Sequence, residues 1–486
     1  MSLDLDLCYR ALGSRDRRFD GRFFTAVKTT GVYCRPICPA RTPLAKNVTF
    51  FPTPAAAEQA GYRPCRRCRP ETAPESPAWQ GTSATVTRAL RLLHIEVRVD
   101  RLAERLGVGE RHLRRLFAEH LGASPRAVLT SQRVHFARRM LDETTMPLEE
   151  LARATGYGSA RRLRAAVTRT FGLPPTALRR AQGRSRAVGE APFELRLPFA
   201  GAYDFEGMLT YRAARAIPGV EAVEAGVYRR SILTPSGEGR LEISRVSGAE
   251  GEHALRLSLW TRESPLLFPL VDRARRMLDL DTDITAVGAA LSKDPALAPL
   301  VARRPGLRVP AAWDPFELGV RAILGQQVSV RAATTLAGRL VERLGTSYPA
   351  GAAGGVGRYF PFSSTIAEAG ERGLAGLGLT GGRARALIAF ARAVTDEEVV
   401  LLPAADLESL VRSLSGVEGI GPWTAHYIAL RGLGEPDAFP ASDLGLRKAL
   451  AERGKPPLTE AQLLLRAERW RPWRGYAAIH LWSSLG

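Results

Sequence analysis

The chain has 486 residues, of which 45% are hydrophobic and 24% charged, and its formal net charge is +20. This length exceeds what one hydrophobic core usually organises, so we expect three to four domains. No apolar run approaches the roughly 18 residues of a membrane-spanning helix, and the acidic N-terminus lacks a signal-peptide pattern. We therefore expect a multidomain cytoplasmic protein that has no membrane partner.

The charge is distributed unevenly along the chain. Residues 1–190 carry 34 basic and 17 acidic residues, whereas residues 191–486 carry 35 and 32. A basic excess of this size attracts the phosphates of nucleic acid. The N-terminal part is therefore predicted to bind DNA through its overall field, and the C-terminal part needs local motifs for any DNA contact.

Four of the five cysteines form two close pairs near the N-terminus. Cys34 and Cys38 are followed, after 26 intervening residues, by Cys65 and Cys68. This spacing suits a tetrahedral zinc site with four thiolate ligands. A purely structural zinc site and a zinc-bound nucleophilic thiolate both fit the spacing. The remaining cysteine, Cys8, is predicted to be buried, and such scarce cysteine indicates a reducing compartment.

The residues around the cysteines extend this interpretation. Three segments resemble the N-terminal domain of the bacterial Ada adaptive-response family: residues 20–36, 46–50 and 61–68. In that family the domain takes a methyl group from a DNA methylphosphotriester onto a zinc-bound cysteine. The resemblance implies one Zn²⁺ per chain, Cys34 as the methyl acceptor, and Arg41 as a contact to the DNA backbone. Removing one thiolate charge beside DNA is expected to raise DNA affinity.

A helix-turn-helix pattern follows a Pro-rich stretch at 70–84 that we interpret as a linker. Residues 102–109 are predicted to form a short helix that ends in a glycine turn, and residues 110–120 are predicted to form a second helix. The unit recurs 49 to 50 residues later, because Gly156 repeats Gly107 and Leu151 repeats Leu102. Two copies place two recognition helices about one turn of DNA apart.

The second copy carries a family resemblance. Residues 156–159 and 171–175 resemble the tandem helix-turn-helix domain of AraC-type activators, and the similarity extends over 83–183. The resemblance implies promoter binding, with RNA polymerase as a further partner. A solvated basic face is the plainer interpretation of these Arg-rich helices, but the repeated turn favours DNA binding. The candidate DNA contacts are arginines of the two second helices: Arg111, Arg114, Arg161 and Arg162.

Beyond a basic linker at 182–189, the chain changes character twice. Alternating patterns at 239–244 and 254–260 predict strands, and after about residue 264 nearly everything is predicted to be helical. Within the helical part, Gly419 and Gly421 flank one apolar residue and predict a tight hairpin between two helices. An ordinary αα-hairpin and a phosphate-binding one share this pattern. The stretch resembles the helix-hairpin-helix of DNA base-excision glycosylases, which favours phosphate binding.

Asp443 lies about twenty residues beyond the hairpin. Taken alone, such an aspartate is typical of a helix N-cap. In the glycosylase family an aspartate at this offset is the catalytic carboxylate, so the resemblance makes Asp443 the candidate that stabilises an oxocarbenium-like sugar. Trp423 stands where bifunctional relatives carry a Schiff-base lysine, which implies base removal without lyase cleavage of the strand.

Further segments narrow the family. Residues 305–310, 316–330 and 470–477 resemble AlkA-type 3-methyladenine glycosylase II, and the similarity runs from about 192 to the end of the chain. It implies that Trp423, Tyr427 and Trp482 form the aromatic walls of a base pocket, which favours a cationic alkylated base. Gln327 matches the usually apolar residue that fills the gap left by the flipped base.

The sequence therefore predicts a mainly α multidomain protein. Its expected parts are a small zinc-bound α/β domain at 1–75, a tandem helix-turn-helix at 83–183, a small β-rich α+β domain at 192–305, and an all-α helix-hairpin-helix glycosylase domain at 306–486. The expected protein is a nucleoid-associated monomer that binds damaged and promoter double-stranded DNA.

The expected functions are excision of 3-methyladenine and 7-methylguanine, single-turnover methyl transfer to Cys34, and activation of transcription. Two alternatives remain open. One is a repair-only glycosylase whose N-terminal domains merely add DNA affinity, and the other is a transcription factor whose C-terminal half is not catalytic.

Overall fold

The computed structural model describes residues 3–16, 19–65, 67–68, 70, 84–93, 98–179, 192–234, 237–246, 253–261, 266–348, 354–402, 407–451 and 455–485. The two predicted linkers lie outside these residues, except for positions 70 and 84. None of the helices in these ranges combines the length and apolar character that crossing a lipid bilayer requires. The mainly α, multidomain fold class predicted from the sequence is confirmed.

The N-terminal domain is built on a small four-stranded sheet with the strand order β3-β1-β2-β4. Its elements are α1 (Leu5–Ser14), β1 (Phe24–Val27), β2 (Val32–Cys34), β3 (Val48–Phe51), α2 (Pro54–Gln59) and β4 (Arg63–Pro64). Strands β2 and β4 run parallel, with Tyr33 opposite Pro64. Because the two strands end side by side, Cys34 at the end of β2 and Cys65 just after β4 meet at one edge of the sheet. Cys8 is buried on α1, as predicted.

In the described residues that follow, the helices are α3 (Ala84–Leu92), α4 (Val99–Arg105), α5 (Glu110–Leu121), α6 (Pro125–Glu143), α7 (Leu148–Ala154), α8 (Ala160–Phe171) and α9 (Pro175–Leu178). The predicted repeat is confirmed, because α5 and α8 each have 12 residues and follow a shorter helix and a glycine turn. Both helices end at a left-handed glycine, Gly122 with φ 67° and Gly172 with φ 71°. Glycine adopts this conformation without the steric penalty that a Cβ brings.

The β-rich domain is an antiparallel five-stranded sheet with the order β5-β9-β8-β7-β6. Its elements are β5 (Phe193–Pro198), α10 (Phe205–Ala213), β6 (Glu221–Glu224), β7 (Val227–Thr234), β8 (Gly237–Arg245) and β9 (Ala254–Thr261). The strands predicted at 239–244 and 254–260 form as β8 and β9. Helix α10 was not indicated by the sequence; Asp204 caps it by accepting the Gly207 N–H at 2.8 Å.

The C-terminal part is helical, as predicted. Its helices are α11 (Leu267–Met277), α12 (Ile284–Leu291), α13 (Ala298–Arg303), α14 (Pro315–Leu324), α15 (Val330–Leu344), α16 (Ser363–Leu374), α17 (Gly381–Thr395), α18 (Leu407–Ser415), α19 (Pro422–Arg431), α20 (Leu444–Ala449), α21 (Glu460–Ala467) and α22 (Arg474–Ser483). A buried ion pair, Arg230 Nη2 to Glu317 Oε2 at 2.7 Å, ties β7 of the sheet to α14. Helices α12 and α13 pack into the core of this part, and α11 packs with the sheet.

Candidate functional site

The four predicted metal ligands come together in the structure. The sulfur atoms of Cys34, Cys38, Cys65 and Cys68 all lie within 4.8 Å of one another. Three of the four residues are buried and Cys65 is half-buried. Four thiols converging at this separation in a buried site fit a single tetrahedral zinc ion, which prefers sulfur ligands. The donor set is therefore that of a zinc site.

The sulfur atoms differ in their hydrogen bonds. Backbone N–H groups of Ala40, Cys68 and Arg35 donate to the sulfurs of Cys38, Cys65 and Cys68, respectively. The Arg35 contact to Cys68 measures 3.3 Å.

Arg35 and Arg41 are the described arginines closest in sequence to the first cysteine pair. The Arg35 guanidinium is engaged by the Asp20 carboxylate and also donates to the Cys68 carbonyl at 3.3 Å. Arg41 is exposed, three residues beyond Cys38. Arg35 is thus held inside the domain, and Arg41 is accessible to an external anion.

The N-terminal domain packs directly on the helix-turn-helix helices. Tyr33, the neighbour of Cys34, is fully buried, and its hydroxyl donates to Glu58 Oε1 at 2.8 Å. His135 of α6 places Nε2 2.5 Å from the same oxygen and 3.0 Å from the hydroxyl. Thr53 Oγ1 also donates to the Leu121 carbonyl at 2.8 Å. The cysteine cluster is therefore one residue away from the contact with the helix-turn-helix unit.

The candidate arginines of the two second helices are all exposed: Arg111, Arg114, Arg161 and Arg162. They lie opposite the buried face of each helix, which contains Leu113 and Phe117 in α5 and Leu163 and Val167 in α8. Arg114 differs from the others because Glu110 accepts its guanidinium at 2.5 Å. This pair is exposed and i,i+4 in spacing, so it contributes little stability and leaves Arg114 available.

The predicted hairpin connects α18 to α19. Gly419 has φ 79°, and a Cβ there would lie 2.3 Å from that of Ala386. Gly421 is the N-cap of α19 and has an ordinary φ of −82°, so of the two glycines only Gly419 needs a positive φ. No side chain caps this helix N-terminus, and its N–H groups are suited to a DNA phosphate. Gln326 Nε2 holds the hairpin by donating to the Gly419 carbonyl at 2.9 Å.

Gln327 is exposed on the turn between α14 and α15. Its backbone has φ 58°, a conformation that residues other than glycine rarely adopt. Arg383 Nη2 donates to the carbonyl of the preceding Gln326 at 2.6 Å. The side chain of Gln326 thus ties this turn to the hairpin, and Gln327 extends into solvent.

Asp443 lies at the N-terminus of α20, where the two sequence interpretations coincide. Its Oδ1 accepts the Leu446 N–H at 2.9 Å, so it is the N-cap. The indole of Trp482 also donates to Oδ1, at 3.1 Å, and that of Trp423 donates to Oδ2 at 2.8 Å. Three N–H groups therefore orient one half-buried carboxylate.

The predicted aromatic residues surround this carboxylate. Trp423 and Tyr427 stack with ring centroids 5.1 Å apart and planes 11° apart. Trp482 meets Tyr427 edge-on at 6.3 Å. The structure thus brings Asp443 and all three aromatic side chains into one cluster, with Gln327 outside it on the turn after α14.

Two residues of this cluster were missed by the sequence. Tyr211 of α10 places its hydroxyl 3.3 Å from that of Tyr427. The buried Arg431 guanidinium lies 4.5 Å from the Tyr211 ring, 5.3 Å from Tyr427 and 5.4 Å from Trp482. Arg431 could have been found, because Trp423, Tyr427 and Arg431 follow one helix face at steps of four. Tyr211 gives no such signal, since it comes from the β-rich domain.

Family models match four consecutive parts of the chain. They are the metal binding domain of Ada over 7–71, a helix-turn-helix domain over 102–181, the AlkA N-terminal domain over 194–314, and an HhH-GPD superfamily base excision DNA repair protein over 320–474. The fold also resembles the solved 3-methyladenine DNA-glycosylase from Archaeoglobus fulgidus, with a TM-score of 0.52 and 24% identity over 59% of this chain and 96% of that one. Together, fold and site define a base-excision repair protein that carries an Ada-type metal domain and a helix-turn-helix unit.

Relatives of known class match the chain over long stretches. The "probable bifunctional transcriptional activator/DNA repair enzyme AlkA" of Mycobacterium tuberculosis (strain H37Rv) is 42% identical over 99% of this chain and 97% of its own length. "DNA-3-methyladenine glycosylase 2" of Escherichia coli is 35% identical over 58% of this chain and 95% of its own length. The chain belongs to the family of bifunctional transcriptional activator/DNA repair enzymes of the AlkA type.

Proposed function

We propose that the chain hydrolyses the glycosidic bond of alkylated purines, with Asp443 as its catalytic carboxylate. The observation that carries this proposal is the position of Asp443, which is oriented by the indole N–H groups of Trp423 and Trp482. The relatives named above as DNA repair enzymes and DNA-3-methyladenine glycosylases support it. The proposed substrates are 3-methyladenine and 7-methylguanine in double-stranded DNA.

The proposed reaction has one bond broken and one formed. The C1′–N bond breaks with its electron pair leaving on the base, and a water oxygen then bonds to C1′ and releases a proton. Positive charge develops on the sugar, and the Asp443 carboxylate stabilises it electrostatically. N-alkylation makes the purine cationic, so the base leaves without a strong general acid. The aromatic face of Trp423 favours that cation over a neutral base, and Tyr427 and Trp482 already contact the Arg431 guanidinium.

Strand cleavage is not part of the proposed reaction. A lyase needs an amine that attacks C1′, and the residue that contacts Asp443 from the hairpin helix is Trp423, whose indole is not nucleophilic. The product is therefore an abasic site in an intact strand. Incubation of the purified chain with methylated DNA, followed by chromatography of the released bases, tests the proposal. Strands that break before alkali is added would contradict hydrolysis without lyase action.

We further propose that Cys34 accepts a methyl group from DNA methylphosphotriesters, with one zinc ion held by the four cysteines. Bound zinc would keep the sulfurs deprotonated and nucleophilic. In the proposed transfer a bond forms between the Cys34 sulfur and the methyl carbon, the C–O bond breaks, and a phosphodiester anion leaves. The match of residues 7–71 to the metal binding domain of Ada supports this proposal.

Two measurements separate this assignment from the alternatives. Metal analysis should give one zinc per chain, and peptide mass mapping after exposure to methylphosphotriester DNA should find the methyl group on Cys34. Cys65 is the informative competitor, since it is the least buried of the four cysteines. A methyl group on Cys65 would contradict the assignment to Cys34 and would mean that accessibility selects the acceptor.

The contact between the two N-terminal domains supports a regulatory role. Tyr33 links the strand that ends at Cys34 to His135 of the helix-turn-helix unit. We propose that methylated Cys34 strengthens promoter binding through Arg41 and the exposed arginines of α5 and α8, and that this binding activates transcription. Gly419, Gly421 and Gln327 are proposed to contact damaged DNA, the glycines at a phosphate and Gln327 at the gap left by the flipped base.

A further inference from the structure

Residues 433–443, here called the Asp443 loop, connect the end of α19 to the proposed catalytic carboxylate. Inside the glycosylase domain, the N–H groups of Leu433 and Glu435 donate to carbonyls of α19 at 3.2 and 2.9 Å, and three further contacts fix the middle of the loop. The Gly475 N–H donates to the Pro436 carbonyl at 2.7 Å, Arg474 makes two 2.8 Å contacts to Asp437, and the Phe439 N–H donates to His426 Nδ1 at 3.2 Å. These contacts hold the middle of the loop, between Pro436 and Phe439.

The start of the loop is also held from a different domain. Helix α3, which precedes the first helix-turn-helix unit, places the Arg88 guanidinium against the Glu435 carboxylate, with Nε to Oε1 at 3.1 Å and Nη2 to Oε2 at 3.0 Å. One turn later, Arg91 Nη1 donates to the Leu433 carbonyl at 2.7 Å. The Arg91 guanidinium lies directly over Gly434, where an added Cβ would come within 3.1 Å.

The Arg88–Glu435 pair is buried on both sides, with 11% and 4% of the side chains exposed. A bidentate arginine–carboxylate pair fixes both the distance and the plane of its partners. Removing one partner of a buried pair leaves an uncompensated charge, which makes such a contact far more sensitive than a surface pair. The position of Glu435 is therefore coupled to that of α3.

The contact belongs to a wider docking surface. Phe136 of α6 packs on Phe268 of α11 with ring centroids 5.1 Å apart. Arg139 Nη2 donates to the Arg196 carbonyl at 2.8 Å, and the Arg196 N–H donates to Glu143 at 3.3 Å. Arg22 of the N-terminal domain also pairs with Asp283. These contacts hold the helix-turn-helix domain against the C-terminal half. The contact of α3 with the Asp443 loop is therefore part of a larger interface between the two.

We infer that α3 is a working part of the glycosylase, in which Arg88 and Arg91 are positioning residues that hold the Asp443 loop. Base excision by this chain then depends on the docking of its DNA-reading domain, and the two activities are physically linked. The inference rests on the proposed glycosylase function. Arg88 and Arg91 act through the orientation of Asp443, since displacing a catalytic carboxylate by about 1 Å can lower the reaction rate by up to two orders of magnitude.

The test compares full-length variants in single-turnover base release from methylated DNA. Arg88→Ala should slow release roughly tenfold, while the Kd for the same DNA and methylation of Cys34 stay within about twofold of wild type. Arg88→Lys retains the charge opposite Glu435 but cannot make both hydrogen bonds, so it should recover part of the rate. Arg98→Ala removes an exposed ion pair with Asp100 in the same domain and is the matched control, with an unchanged rate.

A second variant keeps the test decisive if Arg88→Ala folds poorly. Arg91→Met removes the hydrogen bond to Leu433 while Glu435 keeps its pair with Arg88, and it should slow release several-fold. Thermal unfolding of each variant defines a temperature at which all are folded. A rate within twofold of wild type for both Arg88→Ala and Arg91→Met overturns the inference, as does a rate loss matched by an equal loss of DNA affinity. Absence of base release by the wild-type chain would instead reject the proposed glycosylase function.

Discussion

The indole N–H of Trp423 donates a 2.8 Å hydrogen bond to Oδ2 of Asp443, so the aromatic wall and the carboxylate form one unit. The two residues are twenty positions apart, one on the helix after the hairpin and the other capping α20. Phosphate binding at the hairpin would therefore place the duplex at a fixed distance from the carboxylate. This relationship explains why the hairpin and the aspartate occur together in the sequence.

Replacement of Asp443 by asparagine tests the proposed chemistry. Asp443→Asn keeps the size of the side chain but removes the negative charge that would face the sugar cation, so the rate of base release should fall by at least about a hundredfold. The proposed methylation of Cys34 should be unchanged, because Cys34 lies in the N-terminal domain. Asp396→Asn, which neutralises an exposed carboxylate at the end of α17, is the control. Release at the wild-type rate by Asp443→Asn would reject the mechanism.

The two hairpin glycines should respond differently to alanine. Gly419→Ala introduces a Cβ at φ 79° that would lie 2.3 Å from that of Ala386, so it should lower the free energy of unfolding by roughly 1–3 kcal/mol. It should also weaken DNA binding, because the hairpin shifts. Gly421→Ala meets no atom within 4 Å and should leave stability unchanged. Denaturant unfolding checks both, and equal effects would contradict the assigned geometry.

The sequence predicted those parts of the molecule whose signals are local. The glycine turns of the two helix-turn-helix copies, the cysteine spacing and the hairpin each depend on residues a few positions apart. Asp443 and its aromatic neighbours were found through family resemblance, since nothing in the spacing alone joins Trp482 to Asp443. Their hydrogen bonds became visible only in the structure.

What the sequence could not indicate depends on contacts between domains. Tyr211 reaches the aromatic cluster from α10, a helix in the segment that the sequence predicts to be β-rich. Arg88 and Glu435 are 347 positions apart, and each resembles an ordinary surface charge when the sequence is considered alone. Such pairs arise from the docking of complete domains, which leaves no periodicity in either segment.

Burial of His426 gives a pH dependence of stability. Desolvation, aided by the charge of Arg474, lowers its pKa from 6.5 to about 4. The unfolded chain thus binds a proton at higher pH than the folded chain does. The contribution of His426 to the free energy of unfolding is fully present above pH 6.5 and decreases as the pH falls toward 4, by up to roughly 3 kcal/mol. The neutral ring also accepts the Phe439 N–H at Nδ1, which a protonated ring cannot do.

Comparison with His426→Asn isolates this contribution. Asparagine can accept the Phe439 N–H through its side-chain oxygen but does not titrate, so the variant should gain stability relative to wild type as the pH falls from 7 to 4.5. Carboxylates titrate in both proteins and cancel in the difference. His112→Asn, at an exposed position of α5, should show no such gain. A difference in unfolding free energy between wild type and His426→Asn that stays constant from pH 7 to 4.5 would contradict the prediction.

The proposed charge switch at Cys34 is measured best in the Asp443→Asn background, where base excision does not alter the DNA. Methylation turns one thiolate into a neutral thioether, and a unit charge a few Å from a phosphate is worth about 1 kcal/mol in water. The methylated protein should therefore bind promoter DNA about fivefold more tightly at low salt. The advantage should shrink as salt rises, because screening weakens the repulsion that methylation removes. Equal affinities at low salt would reject the switch and favour the alternative in which the N-terminal domains only add DNA affinity to a repair enzyme.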